Sequence, residues 1–247
     1  MKKTEHGRDA GAVGELISWV DAAGEIHGCR PSPECVGIEL HLALPAREAA
    51  RYQGQRNYHG HYWCAGTRNH VWYESMTEYT SLMYLDHTEK LSALAAQPAC
   101  LQFNDGSRHY PDFFALLESG KKVMYDVRPS ELVDEAAAAQ FAKTAELCQR
   151  IGWGYEVLHG LMGIQRHNLE WVAGYRHPWN CPAEEDRLRL LAFLDQPRTL
   201  GDAARLLDLK RPSRHIHGIY HLMWQRQITY NDALPLGWST ALRRSDV

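Results

Sequence analysis

Glu78, then Asp112 in "YPDFFALL", then Asp126 and Arg128 in "VMYDVR" follow one another in an order that suits phosphodiester hydrolysis. A strand of period two puts Met124, Asp126 and Arg128 on one face of "VMYDVR" and Val123, Tyr125 and Val127 on the other. Asp112 falls on the preceding strand, across a short turn. Same-face side chains of antiparallel partners come within about 5 Å of one another, so two carboxylates and a cation converge. Glu78 precedes Leu82 by four residues and Leu85 by seven, so a carboxylate rides the apolar stripe of a helix, with Glu74 one turn earlier. An unpaired carboxylate is costly to bury, and a metal ion or a base offsets that cost. Carboxylate oxygens are the ligands Mg²⁺ takes, and Mn²⁺ accepts the same set. Such an ion polarises a phosphoryl group and lowers the pKa of a bound water. Each residue also has an ordinary reading: Asp112 as a strand end, Asp126 and Arg128 as a surface ion pair, Glu78 facing solvent. The ordered set, not any one member, carries the chemistry.

The surrounding pattern supplies elements to hold these residues. "ELISWVDAAGEIHG" reads as a hairpin, and "RYQGQRNYHGHYWCAGTRNH" as an ordered loop or arm. "VWYESMTEYTSLMYLDH" reads as a helix. "ACLQF" is a strand, Asn104-Asp105-Gly106 a turn, "RHYPDFFALL" the next strand, "ESGKK" a second turn and "VMYDVR" a third strand. Ser130 is the expected N-cap of a long helix through "ELVDEAAAAQFAKTAELCQRIG", with Gly152 just past its end. "GYEVLHG" is a further strand. Helix, three antiparallel strands, helix, strand makes an α/β core around a mixed sheet. "GYRHPWNCPAEE" reads as a linker. Beyond it stand three short helices: "EEDRLRLLAFL", one opened by a Thr199–Asp202 capping box, and one capped by Ser213. They fit a small helical or winged-helix module. The expected division is an N-terminal hairpin and arm over 1–70, the core over 71–178 and the C-terminal helical module over 179–247.

The chain has 247 residues, of which 45% are apolar and 23% charged, as expected of a soluble globular protein. It has no apolar run long enough for a membrane span and no secretory signal at its start. The six cysteines form no CxxC and read as reduced thiols in a cytoplasmic protein. The net charge of −3 argues against a chain that grips DNA tightly on charge alone.

The collinear series resembles the PD-(D/E)xK nucleases, the restriction-endonuclease-like fold. More narrowly it resembles TnsA, the endonuclease subunit of heteromeric transposases. "YESMTEYTSLMYLDH" is similar to that family's opening helix, which implies Glu78 as its catalytic glutamate. "QPACLQFNDGSRHYPDFFAL" resembles the Gln-Pro and Pro-Asp-Phe strands, implying Asp112 as the central metal ligand. "YDVRPSEL" resembles the stretch that carries the second ligand, Asp126, and the family's lysine, here Arg128. "GWGYEVLHG", "NLEWVAGYRHP" and "GIYHLMWQRQITYNDALPL" resemble the later segments, and the likeness covers roughly residues 45–240.

The family implies a Mg²⁺-dependent endonuclease that cuts DNA at transposon ends, beside a TnsB-like transposase and a TnsC-like AAA+ regulator. Arginine stays protonated and forks towards two oxygens, so it holds a phosphate but does not act as a base. That departure gives a second reading, a catalytically weakened homologue that serves as a DNA-end or regulator-binding scaffold. A free-standing restriction or repair nuclease is a third. Gln140 or Lys143, on the helix that follows, would be accessory donors in place of the lysine.

Lys210, Arg211 and Arg214, with His215 and His217, form a local basic cluster suited to DNA phosphates or an acidic partner. His59-x-His61-x-x-Cys64 with His70 offers zinc-type ligands without a recognised zinc spacing. Trp63, Trp72, Trp153, Trp171 and Trp224 are expected in cores rather than as stacking platforms.

Overall fold

The computed structural model describes residues 14–47 and 58–246, so the quoted stretch 51–57 of the expected arm lies outside the described residues. The chain groups into two compact units, each assembled from two stretches: residues up to 56 with Leu91–Leu158, and 57–90 with the remainder from His159. The consecutive segments read from the sequence are thus interleaved.

In the first unit, β1 (Leu16–Val20) and β2 (Ile26–Cys29) form the expected hairpin. Asp21 Oδ1 accepts from the backbone N–H groups of Ala23 and Glu25, both at 2.9 Å, and Gly24 takes φ 86° in the turn. β6 (Cys100–Gln102) adds to β1, and β7 (Arg108–His109) adds to β6, giving the order β2-β1-β6-β7. A second sheet has the order β10-β9-β8-β5, from β5 (Leu91–Ala96), β8 (Phe113–Leu117), β9 (Lys122–Val127) and β10 (Gly154–Leu158). Its first three strands in sequence run antiparallel, and β10 runs parallel to β9 after the crossover helix α2 (Glu135–Ile151).

The sequence suggests one strand over residues 108–117. The chain instead breaks between His109 and Phe113, and the two halves belong to different sheets. Pro111 has no N–H to give a ladder and marks the point of exchange. β5 is missed altogether in the sequence, because "LSALAA" lacks both the alternation and the β-branched residues of a strand signal.

α2 starts later than expected. Ser130–Leu132 is a 3₁₀ turn, and Asp134, not Ser130, caps the helix, its carboxylate accepting from Ala137 N at 2.8 Å. Gly152 ends it in the left-handed region at φ 93°. Thr144, Leu147, Cys148 and Ile151 face inward at helical spacing. Leu147, Cys148 and Ile151 join Ile17, Leu40, Leu101, Phe103, Phe114, Met124 and Trp153 in one core.

In the second unit β3 (Gly60–Cys64) and β4 (Asn69–Tyr73) form a hairpin where the sequence reads as loop followed by helix. Helix α1 is shorter than expected, Met76–Thr88, with Ser75 as its cap. Asp86 on α1 ties the hairpin down: it accepts from Tyr62 OH, Ala65 N and Gly66 N, each at 2.8 Å, and from Cys64 Sγ at 3.2 Å. α3 (Gly163–Ala173) follows, and a 3₁₀ turn at Pro178–Asn180 lies in the expected linker.

The three expected short helices are α4 (Glu184–Phe193), α5 (Leu200–Leu207) and α6 (Ile216–Trp224). Thr199 caps α5, accepting from Asp202 N at 3.1 Å. Ser213 does not cap α6; it sits inside a 3₁₀ turn, Pro212–His215. Three short strands accompany the helices, β11 (Arg198–Thr199), β12 (Ile228–Tyr230) and β13 (Ala241–Arg244), antiparallel in the order β11-β13-β12. The molecule is mixed α/β, with several sheets and six α-helices among the described residues. No described helix is long and apolar enough to cross a membrane.

Candidate active site

Asp112 and Asp126 sit at the end of the β8–β9 hairpin. The ladder pairs Phe113 with Tyr125, so one step further sets Asp112 opposite Asp126. Backbone bonds carry that alignment past the strand end: Asp112 N donates to Tyr125 O at 3.0 Å, and Gln97 N donates to Asp112 O at 2.8 Å. The Asp112 carboxylate accepts from Val127 N at 2.7 Å.

Asp126 is 2% exposed, which excludes a surface ion pair with Arg128. His109 Nε2 donates to both of its oxygens, at 2.9 and 2.8 Å, and the Tyr155 hydroxyl donates to one of them at 2.6 Å. The tautomer follows, since a carboxylate only accepts and Nε2 must carry the hydrogen. Burial, then the Asp126 charge, hold the Tyr155 phenol well above its ordinary value, and Asp112 adds to that push. Burial and Asp126 push the Cys148 thiol up to about 12.

His109 and Tyr155 are the members of this cluster the sequence reading missed. Tyr155 has a legible signal. A strand that follows a crossover helix runs parallel to the strand before it, and that register pairs Tyr155 with Met124, on the Asp126 face. His109 has none, because it arrives from the other sheet.

Arg128 continues β9, its N–H donating to Leu158 O at 2.9 Å. Its Nε donates to Leu132 O at 2.7 Å. Lys143 pairs with Asp105 in the β6–β7 turn, and its ammonium lies 5.6 Å from the Phe103 ring centre. The proposed donor therefore has a partner of its own. Gln140 is half-buried one helical turn before Thr144.

Glu78 stands on α1 in the second unit, whereas Asp112, Asp126 and Arg128 stand in the first. It forms a capping arrangement at the start of α1. Its N–H donates to Ser75 Oγ at 3.1 Å, while its carboxylate accepts from Ser75 Oγ at 2.9 Å and from Glu74 N at 2.8 Å. Glu74 is half-buried just before the helix. Lys210, Arg211 and Arg214 are brought together and exposed at the turn before α6, where Asp208 accepts from the backbone N–H groups of Lys210 and Arg211.

The donor set at Asp112 and Asp126 fits a hard divalent cation. Both supply carboxylate oxygens from neighbouring strands, and Asp126 Oδ1, which accepts from His109, has a second lone pair. Among the described residues, the group with three ligand-type side chains whose donor atoms all lie within 4.8 Å is Asp21, Glu25 and His27. The β1–β2 turn accounts for it: Asp21 already accepts from two backbone N–H groups and from His27 Nε2 at 2.7 Å. The zinc-type set is not assembled, because Cys64 is buried on Asp86 while His61 and His70 are exposed. No family model matches the chain, and no curated protein matches it.

Proposed function

We propose that this chain is a Mg²⁺-dependent DNA endonuclease of the restriction-endonuclease-like fold, the TnsA-like subunit of a heteromeric transposase. The observation that carries the reading is the opposition of Asp112 and Asp126 on adjacent antiparallel strands, with a parallel strand added through α2. Mn²⁺ would serve the same oxygens. The bound ion supplies phosphoryl polarisation and an activated water. Asp112 and Asp126 would hold it. His109 and Tyr155 keep Asp126 in one orientation. Arg128 would bind a phosphate oxygen through its guanidinium fork. The order α4–β11–α5–α6–β12–β13 supports a winged-helix-like module at the C-terminal end, with Lys210, Arg211 and Arg214 exposed at the entry to α6. That module is the surface for DNA or for the TnsB-like and TnsC-like partners.

A second reading, the weakened homologue acting as a scaffold, draws on Arg128. Its Nε is spent on Leu132 O, and no lysine replaces it at that position. One experiment separates the two. The purified chain is mixed with Mg²⁺ or Mn²⁺, its transposase partners and DNA bearing transposon ends, and strand cleavage is followed. The nuclease reading expects cutting that Asp112→Ala abolishes. Cutting that survives Asp112→Ala removes the metal assignment. Binding without cutting, with cutting gained in Arg128→Lys, establishes the scaffold reading.

A further inference from the structure

The β3–β4 hairpin has two unlike faces. Tyr62, Cys64 and Val71 are buried on one of them. The other carries His61 and Trp63 from β3 and His70 and Trp72 from β4, and the register pairs His61 with Trp72 and Trp63 with His70. Imidazole and indole therefore alternate both along and across the ribbon. Trp63 and Trp72, expected in a core, are only half-buried, unlike Trp153 and Trp224.

More rings extend the patch at both ends. His59 lies against Trp72, with ring centres 5.1 Å apart. His177 stacks on Trp63 at 4.9 Å and 21°, and Trp179 stacks in turn on His177. Trp179 is 76% exposed, so the stack ends in an open indole face. A cation flanks the rings, since Arg68 is exposed at the hairpin tip. The Arg176 guanidinium, 5.7 Å from the Trp63 ring centre, lies nearer the buried Tyr62 ring, at 5.0 Å, and donates to Trp63 O and Ala173 O. Neither strand carries a carboxylate, since their residues are Gly-His-Tyr-Trp-Cys and Asn-His-Val-Trp-Tyr.

We infer that this face binds an unpaired DNA strand, with bases stacking on Trp72 and Trp179 and the backbone passing Arg68. Every base presents a π-face, so ring platforms of this kind hold single strands without reading sequence, and nearby cations serve the phosphates. A duplex hides its bases and gains little from such a face. Two other occupants fit less well. The His61 and His70 rings lie edge-on at 6.4 Å, but the third zinc-type donor, Cys64, faces the other way. A protein partner would be met by a largely apolar patch, whereas this one is half imidazole. The choice of DNA among polyanions rests on the nuclease reading; the ring face itself does not.

The test uses the full chain in EDTA, so that cutting plays no part, with fluorescein-labelled oligothymidine read by anisotropy. Saturable binding is expected, and Trp72→Ala should weaken it about tenfold, as loss of one stacked base does, while Trp72→Phe keeps most of the affinity. Trp179→Ala, at an exposed position with no core to disturb, should weaken binding severalfold and stands in if Trp72→Ala fails to fold. The inference is overturned if both alanine variants bind as the parent does. It is equally overturned if an abasic phosphodiester oligomer, duplex DNA or the matching RNA binds as tightly. Binding lost in these variants from a chain that never cuts would leave this site standing and remove the nuclease. Cutting with the platform variants unimpaired in binding would do the reverse.

Discussion

At the residue scale, Asp126 decides most. Its carboxylate is buried and receives hydrogen bonds from His109 and Tyr155, so it is oriented by protein groups before any ion is considered. A ligand held this way cannot swing to suit a substrate, which is what a preorganised metal site needs. Tyr155→Phe keeps the ring and removes the 2.6 Å bond. The variant should lose about 1–3 kcal/mol of stability, the cost of leaving a buried acceptor short of a donor. Urea denaturation of parent and variant measures it. Under the nuclease reading the same variant should also need more metal for half-maximal cutting, a change that weakened packing alone does not produce. The sequence made Asp112 and Asp126 legible because both lie on one hairpin, whose register period two fixes. It hid His109, because contacts between sheets leave no periodic trace.

At the element scale, Pro111 and Asp86 set the architecture. Pro111 interrupts what reads as one strand, and its neighbours then serve two sheets. That exchange is how His109 of one sheet comes to lie on Asp126 of the other. Period-two reasoning found the strand residues and missed the break, since the apolar pattern runs on through "YPDFF". α1 failed differently: "VWYES" carries helix-like spacing, but cross-strand pairing of Val71 with Tyr62 wins over it. Asp86 then fastens this hairpin to α1 through four donors on two oxygens. Asp86→Ala would strand the buried Tyr62 hydroxyl and take the acceptor from the part-buried backbone N–H groups of Ala65 and Gly66. The expected cost is about 3–5 kcal/mol, large for one substitution and typical of a broken buried network. Thermal unfolding followed by circular dichroism checks it, with Asp86→Asn, which keeps acceptor capacity at one oxygen, falling in between.

At the scale of the whole molecule, the two units share a device. Each surrounds a buried aspartate with a phenol and a thiol: Asp86 with Tyr62 and Cys64, Asp126 with Tyr155 and, through its charge, Cys148. Burial is the first cause of the shift in all four groups, followed by the neighbouring carboxylate. Cys64 and Cys148 are both pushed up to about 12 from 9.0, and both phenols rise well above 10.0. The sign follows from proton counting. Below about pH 8 these groups are protonated in folded and unfolded chains alike, so they leave stability flat. Above their ordinary values the unfolded chain releases protons that the folded chain retains, and unfolding becomes steadily easier. Stability should therefore hold level to about pH 8 and fall beyond it, first through the thiols and more steeply past about pH 10 through the phenols. Melting temperature measured from neutral to about pH 11 tests this. Tyr62→Phe and Tyr155→Phe each remove one titrating group, so each should lower the melting temperature at neutral pH yet flatten its fall above about pH 10. A fall of unchanged steepness in the double variant would mean that the buried phenols do not govern the alkaline limb.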